Sequence, residues 1–239
     1  MNDNRIPVEQ LALYTTAPHA CSYIEGNEST TLFVDPQAKL NKDAYSFLSE
    51  RGFRRSGPYV YKPDCLNCQA CIPIRISVKD YQFSRSEKRI LKRNGDLSAH
   101  YADTIATDEL YRLYADYICQ RHHDGDMYPP DKDQYESFLS DAFGCTDFVV
   151  FSSDAKPVAV AVIDQLRNGL SAIYTFYDPK EEKRSLGSFA ILWQIQQAQE
   201  IGLDYLYLGY WIKSCAKMSY KTRYRPCEIY INQRWIELR

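Results

Sequence analysis

The chain has 239 residues, 45% of them apolar, which is enough to bury one large core or two small ones and excludes a disordered or fibrous chain. No secretory leader and no window apolar enough for a membrane span stands out, so the expectation is a cytoplasmic protein that does not enter a membrane, its eight cysteines being thiols or metal ligands rather than disulfides. The net charge of −2 is unevenly spread: residues 51–96 hold 11 Lys/Arg against 4 Asp/Glu, residues 211–239 hold 7 against 2, and the remainder carries −14, so two basic islands sit in an acidic chain and point to a nucleic acid partner.

Leu11 to Tyr23 is apolar and runs out in Cys21-Ser-Tyr-Ile24, and Thr31 to Val34 reads as a short strand. Asn41 to Arg51 has helical spacing at Ala44, Phe47 and Leu48, with Gly52 as its stop. Tyr59 to Tyr61 is a second short strand, and Ile74, Ile76 and Val78 alternate with Arg75, Ser77 and Lys79 as a half-buried strand with a basic face. Between them lie Cys65, Cys68 and Cys71. Ser84 and Glu87 have the spacing of a capping box, and Gly95 suits a left-handed stop, which predicts a helix over 84–94. Arg85, Arg89 and Arg93 share one face of it, with Lys88 and Lys92 on the next row. Like charges stacked this way repel one another, so phosphate contact explains them better than a structural role.

Thr107 caps a helix running to about His122, and Asp131 to Phe143 is predicted as another. The loop His122-His-Asp-Gly-Asp126 has no metal-ligand spacing. From Asp147 the period changes to that of strands: Phe148 to Phe151, Val158 to Leu166, and Leu170 to Tyr177, the last two joined through Asn168-Gly169, a hairpin signal. A helix over 186–201 stopped by Gly202, a strand over 204–208, a short helix after Ser214 and a final strand pair at 228–238 complete the chain. The fold class is therefore α/β, or α+β: a small N-terminal cysteine-containing module over 1–100, then a domain over 101–239 whose element order is that of the acyl-CoA N-acyltransferase (GNAT-like) fold. In such enzymes a small-residue turn opens the helix that holds the coenzyme pyrophosphate. Here Arg184-Ser-Leu-Gly187-Ser-Phe189 puts a ring where the second small residue would be, so no organic cofactor is expected.

Several motifs carry a resemblance over nearly the whole chain: Cys21-Ser-Tyr, Gly52-Phe-Arg-Arg-Ser, Tyr61-Lys-Pro-Asp-Cys-Leu-Asn-Cys-Gln-Ala-Cys71, Phe83-Ser-Arg-Ser, Tyr174-Thr-Phe-Tyr-Asp-Pro179 and Gly209-Tyr-Trp-Ile-Lys-Ser-Cys-Ala-Lys-Met-Ser-Tyr-Lys221. Together they closely resemble the bacterial aspartate/glutamate leucyltransferases, relatives of the eukaryotic arginyl-tRNA protein transferases. The resemblance implies transfer of leucine from leucyl-tRNA to the α-amine of proteins beginning with Asp or Glu, which marks them for degradation. An arginyl-tRNA-dependent transferase and a coenzyme A dependent N-acetyltransferase of the same fold are the alternatives.

That chemistry needs a basic surface for tRNA, a cation for the acceptor's acid and a means of placing an amine against an ester. Arg54, Arg55, Arg85, Lys88, Arg89, Lys92 and Arg93 are the candidates for tRNA. Lys217, Lys221, Arg223 and Arg225 are the candidates for the carboxylate. An α-amine titrates near pH 8, so positioning outweighs base strength. Asp178 is expected to orient the amine or take its proton, with Tyr174 and Tyr177 as hydrogen-bonding neighbours. An Asp before Pro also suits a turn cap. Cys21, Cys65, Cys68 and Cys71 are enough for a zinc or iron–sulfur site, although the pairing found in the eukaryotic relatives is broken at Cys21-Ser-Tyr and free thiols are the simpler reading.

Overall fold

A computed structural model of the chain describes residues 11–238. Its elements in order are β1 Leu13–Thr15, β2 His19–Ala20, β3 Glu28–Ser29, β4 Thr31–Val34, α1 Lys42–Ser49, β5 Arg54–Ser56, β6 Tyr59–Pro63, β7 Ile72–Ser77, α2 Arg85–Arg93, β8 Ser98–Ala102, α3 Asp108–Arg121, α4 Lys132–Leu139, β9 Thr146–Ser153, β10 Lys156–Gln165, β11 Gly169–Tyr177, α5 Leu186–Glu200, β12 Tyr205–Trp211, β13 Cys227–Ile231 and β14 Arg234–Glu237. Eight strands form one sheet in the order β14-β13-β7-β12-β11-β10-β9-β8, and β1-β4-β6-β5 form a smaller one. Every neighbouring pair of the large sheet is antiparallel except β11 and β12, whose parallel pairing is closed over the crossover helix α5. Among the described residues no helix is long and apolar enough to cross a membrane.

The central strands are apolar throughout because both faces of the sheet are covered. Along β9, Val149 and Phe151 enter the layer under α5 while Phe148 and Val150 enter the layer under α3. Along β10, Ala159, Ala161 and Ile163 alternate with Val160 and Val162 in the same way. The mixed α/β class and the order of meander, helix and parallel strand are those expected of an N-acyltransferase-like fold. The segment before residue 100 does not stand apart from that sheet, for it supplies β7, which pairs with both β12 and β13.

One local expectation is corrected, and a second is met by a different turn geometry. Gly95 does not take a left-handed conformation; the helix ends instead on Asn94, whose side-chain amide donates to the Ile90 and Arg184 carbonyls. Asn168-Gly169 does join β10 to β11, but neither residue has the positive φ of a two-residue hairpin turn. Gly169 is needed for closeness: a Cβ there would lie 2.5 Å from the Tyr205 carbonyl oxygen, where β12 comes alongside.

Arg55, expected on the tRNA surface, is a core residue. It is 2% exposed and clasps fully buried Asp164 with two hydrogen bonds of 2.6 and 2.7 Å, while its remaining donors reach the Ser140 carbonyl at 2.9 Å and the Thr146 hydroxyl at 3.0 Å. This pair fastens the small sheet to the large one. Replacing Arg55 with Met strands a buried carboxylate and is expected to cost about 3–5 kcal/mol, read as a lowered urea midpoint. A loss under ~1 kcal/mol would mean that water reaches the pair.

Candidate functional site

The site begins where two strands part. β11 and β12 pair only at Gly169 with Tyr205, Leu170 with Leu206 and Ser171 with Tyr207, although β11 runs on to Tyr177 and β12 to Trp211. Beyond Ser171 the backbone groups of β11 that face β12 lose their strand partner. Arg54 fills part of this opening, its Nη2 donating to the Ala172 carbonyl at 2.9 Å and reaching toward the Ile173 carbonyl at 3.4 Å. Its guanidinium lies over Gly209, at φ +75°, where a Cβ would meet Nη1 at 2.4 Å. Nη1 itself is buried with no hydrogen-bond partner. On the next residue of β12, the Tyr210 carbonyl accepts from Lys221 Nζ at 2.5 Å.

The first turn of α5 forms a second side of the opening. Ser185, at φ +56°, precedes the helix and makes no side-chain cap, so the opening backbone N–H groups have no side-chain acceptor there. Gly187 lets the Tyr177 ring lie against this turn, since a Cβ would be 3.2 Å from Tyr177 Cε1. Phe189, expected to stand in the way of a coenzyme, points into the core against Phe151 at 5.1 Å between ring centroids. Tyr177, not Phe189, is the ring beside the turn. Arg184 is also committed, by two bonds of 2.8 Å to Asp96 and one of 3.0 Å to Glu181.

Three loops complete the rim. Tyr177 packs at a tilt against Tyr117, their ring centroids 4.8 Å apart, and the Tyr117 hydroxyl lies 3.0 Å from His122 Nε2. In the loop after α3, Asp124 pairs with Lys217 at 2.6 Å and Asp126 accepts from the Ser22 hydroxyl at 3.0 Å. The turn at Ser22, the 122–126 loop and the 3-10 segment Ala216–Arg223 therefore contact one another. Tyr224, just beyond that segment, is buried near Ser188 of α5, and burial pushes its hydroxyl up to about 12.

α2 lies beside this cleft. Its capping box is complete, with Ser84 and Glu87 bonded reciprocally, and Glu87 also accepts from the Tyr81 hydroxyl at 2.6 Å. Ile90 and Leu91 pack against the core under α5. Arg93 Nη1 and the Asn94 amide hold the carbonyls of Lys183 and Arg184, in the turn that leads into α5. Arg85, Lys88, Arg89, Lys92 and Arg93 are all exposed, and none forms an ion pair among the described residues.

The remaining sequence candidates divide. Asp178 has both carboxylate oxygens engaged, Oδ1 by the Lys180 N–H at 2.9 Å and Oδ2 by Lys156 at 3.5 Å, so its contacts are those of a turn cap. Tyr174 is a packing residue among Tyr114, Tyr117, Phe138 and Phe176, and burial raises its hydroxyl well above the usual range. Lys217 is spent on Asp124. Arg223 is exposed, and Arg225 is exposed with Nε donating to the Thr222 carbonyl at 2.9 Å. Lys221 is half-buried inside the cleft; desolvation, with Arg54 adding, lowers its ammonium to about 7. Arg54 belongs with Lys221 rather than with α2. Strand alternation carried the signal, because two consecutive arginines on one strand face opposite ways.

Among the described residues no three His, Cys, Asp or Glu side chains come close enough to share a metal ion, Cys21, Cys65, Cys68 and Cys71 included. All four are free, and Cys71, pushed up to about 11 by desolvation and then by the other three sulfurs, is a thiol at neutral pH. No step below uses a metal.

The sheet opens between two strands, with Arg54 and Lys221 inside the gap and the exposed cations of α2 beside it, an arrangement of charge suited to a polyanionic ligand. Comparison with known proteins agrees. Residues 19–89 match the family model described as arginine-tRNA-protein transferase, N terminus, and residues 109–231 match its C terminus. The chain belongs to the arginine-tRNA-protein transferase family. It is 52% identical to the aspartate/glutamate leucyltransferase of Saccharophagus degradans, covering 96% of this chain and 98% of that one, and 54% identical to the enzyme of the same name from Stutzerimonas stutzeri, covering 96% and 97%. Among solved structures, L-PGS from Bacillus licheniformis superimposes with a TM-score of 0.48 at 14% identity, over 62% of this chain and 47% of that one.

The depressed Lys221 gives a stability signature. Its folded value, about 7, lies below the ordinary 10.5, so between those two pH values the unfolded chain holds a proton that the folded chain has released, and stability rises with pH. Lys221→Met removes that slope. Urea unfolding across this window is expected to show wild type gaining on the variant as pH rises; parallel curves would show that the ammonium is not desolvated.

Proposed function

We propose that this protein transfers leucine from leucyl-tRNA to the α-amino group of proteins whose first residue is Asp or Glu. The observation that carries the reading is the near full-length identity to relatives of that name, joined to a cleft whose geometry suits the reaction. The exposed cations of α2 sit beside the turn that opens α5 and offer phosphate contacts to the tRNA, so that its aminoacylated end can enter where β11 and β12 part. The acceptor's neutral α-amine attacks the ester carbonyl. The C–O bond to the ribose breaks, an amide forms, and the amine proton passes to the departing ribose hydroxyl directly or through water.

An ester is already activated and an α-amine near pH 8 is partly neutral, so the protein's part is to hold the two together in a cleft with little water. Tyr177, at the mouth between Tyr117 and Gly187, is the hydroxyl best placed to touch the reacting groups. The free N–H groups opening α5 suit the oxyanion that forms as the amine adds. The cytoplasm, where charged tRNA and nascent protein termini meet, is the compartment in which this chemistry has its substrates.

Purified protein incubated with leucyl-tRNA and Asp- or Glu-starting peptides should yield leucyl-peptides, with none from Lys-starting peptides and little from arginyl-tRNA; efficient arginine transfer would move the donor assignment to the other branch of the family. Arg85→Glu with Arg89→Glu should raise KM for leucyl-tRNA by about tenfold or more, flatten its salt dependence and leave KM for the peptide unchanged. An unchanged KM for leucyl-tRNA would remove α2 from the tRNA footprint.

A further inference from the structure

Arg54 and Lys221 are an anomaly in charge. They sit over consecutive residues of β12, the guanidinium on Gly209 and the ammonium on the Tyr210 carbonyl, and neither is in an ion pair among the described residues. Arg55, one residue away, shows the usual solution for a buried cation, a buried carboxylate. Here that carboxylate is missing. Arg54 spends Nη2 on β11 and keeps buried Nη1 without an acceptor. Tyr61 and Tyr210 wall the same space, their ring centroids 6.4 Å apart, and Tyr210 is fixed by donating to the Gly52 carbonyl at 2.8 Å. Two neighbouring cations beside an aromatic wall, with no acid among the described residues to balance them, make a site electrostatically complementary to one small anion.

We propose that Arg54 and Lys221 together seat the side-chain carboxylate of the acceptor's first residue, and so set the requirement for Asp or Glu. This rests on the transfer reading above. The position favours a carboxylate over a tRNA phosphate for two reasons. The acid of an N-terminal Asp or Glu is only a few bonds from its α-amine, so its seat must lie inside the opening where that amine reacts. The phosphates have an exposed row of cations outside it, on α2. With one guanidinium nitrogen left over and one ammonium, the pocket also offers a single oxygen-sized contact from each side rather than the broad cradle a phosphate takes. An entering carboxylate restores the charge of Lys221 that burial and Arg54 depress. Gly209 is part of the device, since a side chain there would push the guanidinium out of the opening.

The test compares the full-length wild type with Arg54→Gln, Lys221→Met and Lys221→Arg, using peptides that begin with Asp, Glu, Asn and Gln, in two assays. In leucine transfer, Arg54→Gln and Lys221→Met should raise KM for the acidic peptides by on the order of tenfold to a hundredfold and erase the preference over Asn and Gln, while KM for leucyl-tRNA stays put and Lys221→Arg keeps most of the preference. Calorimetry of the Asp- and Asn-starting peptides without tRNA should show the same loss of discrimination. It reads the seat even if wild type transfers no leucine, an outcome that would sink the function above but leave this assay to decide the pocket. Should Arg54→Gln not fold, Lys221→Met carries the comparison. Undiminished acidic preference in the folded variants, or a rise confined to KM for leucyl-tRNA, overturns the proposal.

Discussion

Everything functional here depends on β11 and β12 pairing for three residues and then separating. A sheet interior does not tolerate such a gap unless its freed carbonyls find donors, since each buried polar group left alone costs about 1–3 kcal/mol. Arg54 supplies the donor to Ala172, and it can do so only because Gly209 has no side chain. The same guanidinium that repairs the sheet thus leaves one of its own N–H groups without a partner, inside the opening. Structure and binding capacity come from one residue, and so the cleft is stable when empty yet electrostatically incomplete.

Arg55 makes the contrast plain. It belongs to the same three-residue strand, and the alternation of side chains sends it the other way, into Asp164 and the junction of the two sheets. That junction fixes β5 against the large sheet, and with it the reach of Arg54 into the gap. An arginine holding the scaffold and an arginine that keeps a donor unpartnered are neighbours in the chain because a strand naturally serves two faces.

The elements with strong local signals were legible in the sequence. The capping box at Ser84 and Glu87 and the cap at Thr107 marked two helices by chemistry contained within a few residues. The long apolar runs of β9, β10 and β11 could be placed because both faces are buried. What escaped was set by contacts distant in sequence. Gly95 looked like a stop, but Asn94 ends the helix on a carbonyl 90 residues away. Asp178 and Tyr174 carried the right chemistry in a recognisable motif, yet their side chains are absorbed by a turn and by aromatic packing. Two signals were present and unread: a lone Asp164 within an apolar strand demands a buried cation, and a glycine inside the apolar run 205–211 marks a close approach of something to its backbone.

Charge placement then explains how a protein of net −2 can serve a polyanion. At physiological salt a charge is felt over roughly 8 Å, so the overall total matters less than which surface the ligand meets. The exposed row on α2 favours phosphate and the acidic remainder of the molecule disfavours it, so in the proposed reading the two tendencies together would orient a tRNA as well as hold it. α2 is anchored to the turn before α5 by Arg93 and Asn94, so orientation at the outer row is passed to the helix terminus within the cleft through a rigid link. The inner pair, Arg54 and Lys221, is set deeper: Arg54 Nη1 is buried, and Lys221 is half-buried against the Tyr210 carbonyl. The proposed arrangement divides labour by depth: cations at the surface would meet the donor's many phosphates, and cations in the gap would meet the small acid that arrives attached to the amine.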